Sequence, residues 1–163
     1  MSAYICLPEH FKICCGGNGA PTVAGNALST GDYICLKNVH MAYCLVTHVG
    51  ANDTDLVISF SEATDAAAGS AAAITATFPL WTDADWSSQS DALVRGTDAA
   101  NKTIDPATES PSFTIFQIDP AKLSAGFDWI AVVGTGGHAS NFVTVHWLLE
   151  SRYPADPPPT AIA

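Results

Sequence analysis

The sequence predicts an all-β chain, an antiparallel β-sandwich or jelly roll of about seven or eight short strands. Three observations predict it. Several runs alternate apolar and polar residues with period two, no run keeps the period of a helix, and glycine-, proline- or aspartate-rich stretches separate the runs. The 163 residues suit one domain, and 48% hydrophobic against 13% charged residues is enough for a real core.

The predicted strands follow one another from residue 32 to residue 149. The clearest alternation is in residues 40–49, where Met41, Tyr43 and Leu45 share one face and Ala42 and Cys44 the other. A polar, aspartate-rich stretch at 82–111 interrupts the series and predicts a long loop. The predicted strands are residues 32–38, 40–49, 56–60, 74–81, 112–118, 127–133 and 141–149.

The chain divides into three parts. Residues 1–30 are expected to form an irregular N-terminal arm, because proline and a glycine-rich stretch interrupt two short apolar pieces. Residues 31–153 hold the predicted strands and therefore the sandwich domain. Residues 154–163 form a proline-rich C-terminal tail, which cannot pair in a sheet because proline lacks the backbone N–H.

Charge and segment composition exclude several classes of function. The net charge of −10 repels phosphate backbones and anionic lipid, so we expect neither nucleic acid nor membrane as a partner. No apolar run reaches the roughly 18–20 residues that span a bilayer. The first residues lack the pattern of a secretion signal, and the number of cysteines is odd, so we expect reduced thiols and folding in a cytoplasm.

The sequence contains no motif that indicates a catalytic, cofactor or metal site. Gly134, Gly136 and Ala139 fit a dinucleotide fingerprint, but an alternating β-branched run follows where a helix is required, so a glycine-rich connection between strands explains them better. The five histidines are scattered and no nucleophile-elbow sequence is present. Cys14 and Cys15 lack metal-site spacing. We therefore predict a protein that is not an enzyme and holds no cofactor.

Two tryptophans, Trp81 and Trp86, flank the carboxylates Asp83 and Asp85. Aromatic rings beside carboxylates can form a platform for a sugar, and the same rings can equally be core or subunit contacts. The aspartates are best interpreted as solvated turn residues, because the closing glutamate of a calcium loop is missing. A role as core or subunit-contact aromatics is favoured over a sugar platform for the two tryptophans.

The succession of several segments resembles a family of tailed-bacteriophage virion structural proteins. The similarity covers roughly residues 11–154, and no single motif is diagnostic. Within that family the chain is similar in kind to the decoration (cement) proteins bound outside icosahedral heads. The segments are FKI at 11–13, GDYICLKNVH at 31–40, SEATD at 61–65, SDALVR at 90–95, FQIDP at 116–120, GFD at 126–128 and SRYP at 151–154.

The resemblance implies an auxiliary capsid protein that binds and stabilises the shell of major capsid protein. It implies a location on the capsid surface of the virion and assembly as a homotrimer. Cys14-Cys15 departs from the apolar residues expected there and leaves an inter-subunit or metal role open. The residues expected to contact the capsid or other subunits are Tyr4, Ile5, Leu7, Phe11, Ile13, Trp81, Trp86 and Tyr153.

Three alternatives stay open beside the decoration protein. A carbohydrate-binding host-attachment module would use Trp81 and Trp86. A tail or head–tail structural protein is compatible with the same resemblance. A small hydrolase on a jelly-roll scaffold would require histidine and carboxylate side chains to converge in one pocket, which the sequence does not indicate.

Overall fold

The computed structural model describes residues 10–16, 23–24, 28, 30–88 and 91–153. Over these residues the chain forms twelve β-strands and two single-turn 3-10 helices, at Trp86–Ser88 and Pro120–Lys122. No helix in this part of the chain is long and apolar enough to cross a membrane. The strands are β1 Phe11–Cys15, β2 Val23–Ala24, β3 Ile34–Cys35, β4 Val39–Val49, β5 Leu56–Ala63, β6 Ala72–Ala73, β7 Leu80–Asp83, β8 Val94–Arg95, β9 Lys102–Ile104, β10 Ser112–Ile118, β11 Trp129–Gly136 and β12 Phe142–Ser151.

The strands form two antiparallel sheets that pack against each other, which confirms the predicted β-sandwich. The larger sheet has the order β1-β12-β4-β10-β7-β8, and β2 also pairs with β12. The smaller sheet has the order β3-β11-β5-β6, and β9 also pairs with β5. The long strands β4, β10 and β12 lie next to one another in the larger sheet.

The core lies between the sheets and is built by the strand alternation. Along β4 and β12, every second residue is buried, among them Ala42, Cys44, Val46, Val145 and Trp147. An aromatic cluster joins the two sheets. In that cluster Phe60 of β5 makes edge contacts with Phe116 of β10 and Trp147 of β12, at centroid distances of 5.0 and 6.1 Å.

The prediction of an irregular N-terminal arm needs correction at residues 11–15 and 23–24, which are strands. β1 pairs with β12 from Phe11↔Glu150 to Cys15↔His146, and β2 continues along the same side of β12 at Val23↔Val143. Pairing with a strand distant in sequence overrides the local glycine and proline signals, and burial of the Cys14 side chain fixes the register. Tyr4, Ile5, Leu7 and the tail 154–163 lie outside the described residues.

The glycine motif near residue 134 lies in β11 and the turn after it. β11 runs through Gly136, and β12 begins at Phe142, so a connection between two strands occupies the place of the helix that a nucleotide site requires. The two strands lie in different sheets, and the connection therefore crosses from one sheet to the other. Gly134 is needed for close packing, because a Cβ there would lie 2.3 Å from the backbone oxygen of Leu28.

Candidate functional site

The outer face of the larger sheet is unusually apolar. On β4 and β10 the residues that alternate with the core positions are mostly large and hydrophobic, and several are only half buried. An antiparallel sheet with one solvated face normally presents polar residues there. We refer to the following set as the outer face: Phe11, Ile13, Met41, Tyr43, Leu45, Val49, Trp81, Phe113, Ile115, Phe142 and Leu148.

The strand register places these side chains directly opposite one another, in rows that run across the sheet. Leu45 of β4 lies opposite Ile115 of β10, and Ile115 lies opposite Trp81 of β7. In the neighbouring row Ile13 of β1 lies opposite Leu148, which lies opposite Tyr43. Directly opposed residues have Cβ atoms roughly 5 Å apart, so the two rows form a mostly apolar surface, in which His146 lies opposite Leu45 and Gln117 lies opposite Tyr43.

A shallow groove of about 250 Å³ marks the middle of the outer face. Charged side chains are confined to its borders. Glu150 lies opposite Phe11 and Met41 at one corner, and Asp83 lies opposite Phe113 at the other. The groove is lined by Phe11, Tyr43, Leu45, Ile115 and Leu148.

Four of the predicted contact residues meet on or beside the outer face. Phe11, Ile13 and Trp81 belong to it, and Ile13 is 56% exposed although it is fully apolar. Trp86 is 39% exposed and packs its ring on that of Phe113, with the centroids 6.5 Å apart. Tyr153 is also exposed, at 74%, but lies two residues beyond the end of β12.

Sequence reasoning missed the centre of the outer face, formed by Tyr43, Leu45, Phe113, Ile115 and Leu148. The signal was present, because residues 41–49 and 113–118 are apolar on both alternating sets rather than on one. A strand that is apolar on both sides is typical of a buried strand. Here the second side has no covering layer among the described residues, so it is a surface.

One face of the Trp81 ring is occupied by a cation. The guanidinium carbon of Arg95 lies 4.9 Å from the ring centroid of Trp81, and Arg95 is itself held by the carboxylate of Asp98 and the backbone oxygen of Gly96. The interpretation of the two aspartates as solvated turn residues is wrong for Asp83, which is buried at the end of β7, whereas Asp85 is partly exposed. Asp83 accepts a hydrogen bond from the Asp85 backbone N–H at 3.3 Å.

Cys14 and Cys15 point to opposite sides of β1. Cys14 is buried in the core, and burial raises the pKa of its thiol to about 11. Cys15 lies opposite His146 on the other side of the strand. Successive residues of a strand cannot both reach one ion, and the described residues contain no group of three side chains suited to hold a metal. The two cysteines therefore do not form a shared metal site.

A buried polar cluster closes the end of the sandwich near residue 50. The Asn141 side chain accepts hydrogen bonds from the backbone N–H groups of Ala51 and Asn52, each at 2.9 Å, and donates to the Asn52 oxygen. The Ser110 hydroxyl accepts a hydrogen bond from the Gly50 backbone N–H at 2.8 Å and donates one to the Gly50 backbone oxygen at 3.1 Å. These bonds fix the turn between β4 and β5.

His48 and Ser112 lie opposite each other inside this end of the sandwich. Both side chains are buried, and within the described part of the chain neither the His48 ring nitrogens nor the Ser112 hydroxyl has a hydrogen-bond partner of normal geometry. Glu109 lies nearby and is paired with Lys102. A serine, a histidine and a carboxylate thus come together, but the serine and histidine have no access to solvent, so a substrate cannot reach the hydroxyl.

Burial of His48 predicts a measurable loss of stability in acid. Burial lowers the pKa of His48, and Glu109 opposes the effect only in part. The pKa in the unfolded chain is about 6.5. Between the two pKa values the unfolded chain binds more protons, so the free energy of unfolding falls as the pH drops from 7 through 6.5 and below. Thermal unfolding midpoints between pH 7 and pH 5 will measure this.

The variants His48→Gln and His40→Gln separate this effect from the general acid response. His40 lies on the same strand and is exposed. We expect His48→Gln to flatten the pH dependence of the unfolding midpoint and His40→Gln to retain the wild-type slope. Equal slopes in all three proteins would contradict the assignment.

The chain was compared with protein families, curated proteins and solved structures. No protein-family model matches the chain, and no curated protein matches it. The chain is similar to the crystal structure of the SPBc2 prophage-derived protein YomS, with a TM-score of 0.45 and 11% sequence identity over 86% of this chain and 93% of that chain.

Proposed function

We propose that this chain is a structural protein of a tailed-phage virion, an auxiliary decoration (cement) protein that binds and stabilises the shell of major capsid protein. The observation that carries the proposal is the outer face of the larger sheet. It is mostly apolar, with a few polar residues such as His146 and Gln117 in its rows and charged side chains at its borders, which is the composition of a protein–protein interface. The resemblance of the sequence to phage decoration proteins indicates that the assembly is a virion.

The occupant of the outer face in this proposal is a second copy of the same chain. The protein carries a net charge of −10, so copies repel each other wherever acidic surfaces meet. The carboxylates of this sheet face, Glu150 and Asp83, lie at its corners, and its centre is uncharged. Self-association through the outer face therefore buries apolar area with little charge repulsion, and a homotrimer is the assembly that the resemblance implies.

The capsid contact in this proposal belongs to residues 1–9. They precede β1, which is held in the sheet, so removing them leaves every described strand in place. Tyr4, Ile5 and Leu7 in this segment are among the residues that the sequence predicts to contact the capsid or other subunits. We expect the full chain to cosediment with heads stripped of it, at a copy number proportional to the capsid lattice, and the chain lacking residues 1–9 to lose that binding. Undiminished binding by the shortened chain would contradict the role of the arm.

Glycan binding at the tryptophans is the second candidate, favoured by the exposure of Trp86 beside Trp81. Its test is a glycan array with the wild type and Trp86→Ala. Loss of a wild-type signal in Trp86→Ala would support a host-attachment module. A tail or head–tail location is distinguished from the capsid surface by the copy number per virion.

A further inference from the structure

A cleft of about 550 Å³ opens between the edges of the two sheets. On one side are the inward residues of β7 and β8, at the end of the larger sheet, and on the other is β9, on the edge of the smaller sheet. The cleft is on the opposite side of β7 from the outer face, because Leu80 and Thr82 alternate with Trp81. Its volume is in the range of ligand sites, roughly 300–1,000 Å³.

The polar wall of the cleft is a fixed ion pair. The Lys102 ammonium donates to both carboxylate oxygens of Glu109, at 2.5 and 2.8 Å, and both side chains are about one-fifth exposed. The turn at residues 105–109 holds Glu109 in place: its backbone N–H donates to the Asp105 oxygen at 2.7 Å, and its carboxylate accepts from the Asp105 N–H. The charged groups are therefore positioned before any ligand arrives.

The remaining lining combines small, hydroxyl and aliphatic residues. Asn101 and Thr103 are exposed at the polar wall. Leu80 forms an apolar surface, and Gly96 leaves the space above it open, since a Cβ on Gly96 would lie 2.8 Å from Leu80 Cδ1. Val94, at the margin, is 66% exposed. The cleft thus offers hydrogen-bond donors, acceptors and an apolar patch side by side.

We propose that this cleft binds a neutral oligosaccharide. Lys102 and Glu109 neutralise each other, so the site carries neither the positive charge that a phosphate or carboxylate requires nor the negative charge that selects a cation. Sugar hydroxyls both donate and accept hydrogen bonds. The polar wall of the cleft contains groups of both kinds: an ammonium that donates, a carboxylate that accepts, and an amide and hydroxyls that do both. The C–H face of a sugar ring packs on aliphatic surface, which the exposed Val94 side chain offers at the margin of the cleft. The inference is independent of the proposed capsid role and uses none of the residues of the outer face.

The test is a titration of the full-length protein with cellotriose, maltotriose and chitotriose at millimolar concentration, followed by backbone amide NMR shifts. We expect the amide signals of Gly96, Thr97 and Thr103 to move with at least one of the three probes. Glu109→Gln keeps the shape of the side chain and removes its charge, so we expect roughly tenfold weaker binding, the effect of one charge-assisted hydrogen bond. Asn101→Ala changes an exposed residue and will also weaken binding.

Trp86→Ala is the matched control, because Trp86 does not line the cleft. Wild-type affinity in Trp86→Ala, together with weaker binding in Glu109→Gln and Asn101→Ala, supports the cleft. Failure of all three probes to move the cleft signals overturns the inference. Binding that is lost in Trp86→Ala and retained in both cleft variants also overturns it and assigns the sugar to the tryptophans. Unfolding curves of each variant exclude loss of the fold as the cause.

Discussion

Replacing Ile115 by aspartate is expected to convert the protein from an oligomer to a monomer while its fold is retained. Ile115 lies in the middle of the outer face, opposite Leu45 on one side and Trp81 on the other. In an assembly through this face, the new carboxylate would be buried without a partner in every subunit contact. An unpaired buried charge costs several kcal/mol, enough to reduce association by three orders of magnitude or more. Sedimentation velocity over a range of concentrations will measure the change.

The same substitution costs the isolated subunit much less. Ile115 is only half buried in the single chain, and aspartate in a strand costs about 1 kcal/mol through its poor β propensity. Val57→Asp is the matched control, since Val57 is a half-buried, outward-facing β-branched residue on the smaller sheet. We expect Val57→Asp to remain an oligomer. An Ile115→Asp protein that associates like the wild type would contradict the interface.

Replacing Phe60 by alanine is expected to cost about 3–5 kcal/mol of folding free energy. Phe60 is the residue of the smaller sheet that contacts Phe116 and Trp147 of the larger sheet, and it also meets the Phe78 ring at 5.7 Å. Its removal leaves a cavity at the centre of the sandwich. Because domains of this size are stable by roughly 5–15 kcal/mol, the loss is a large fraction of the total. Urea unfolding will measure it.

Phe60→Leu is the control for this prediction. Leucine keeps most of the buried volume and loses only the edge contacts between the rings, so we expect a cost below about 1.5 kcal/mol. If Phe60→Ala costs no more than Phe60→Leu, the aromatic cluster does not join the two sheets in the way the structure indicates.

Long alternating runs made the central strands predictable from sequence. The predicted run 112–118 coincides with β10, and the runs 40–49 and 141–149 differ from β4 and β12 by one or two residues at their ends. Short strands were not predictable. β8 and β9 have two and three residues inside a stretch interpreted as a loop, and such lengths carry no period. Part of the predicted run 74–81 is likewise irregular, and β7 begins only at Leu80.

The candidate interface was only partly predictable, because it depends on strand order. Trp81 and Ile13 could be singled out as apolar residues outside the obvious core. That both lie on one surface follows from the order β1-β12-β4-β10-β7, which joins strands more than a hundred residues apart. The period of a strand assigns its two faces but not its neighbours. The cleft at β7, β8 and β9 could not be predicted from the sequence either, because it also depends on which strands are neighbours.

Light scattering of the purified wild-type protein gives its mass in solution and so tests self-association through the outer face. We predict a stable trimer, with three times the 17.0 kDa mass of the single chain. Association through the outer face requires that the species persist on dilution and in high salt, because the contact is apolar and salt does not screen it. A mass of 17.0 kDa at all concentrations would contradict self-association through the outer face and leave that face without its proposed occupant.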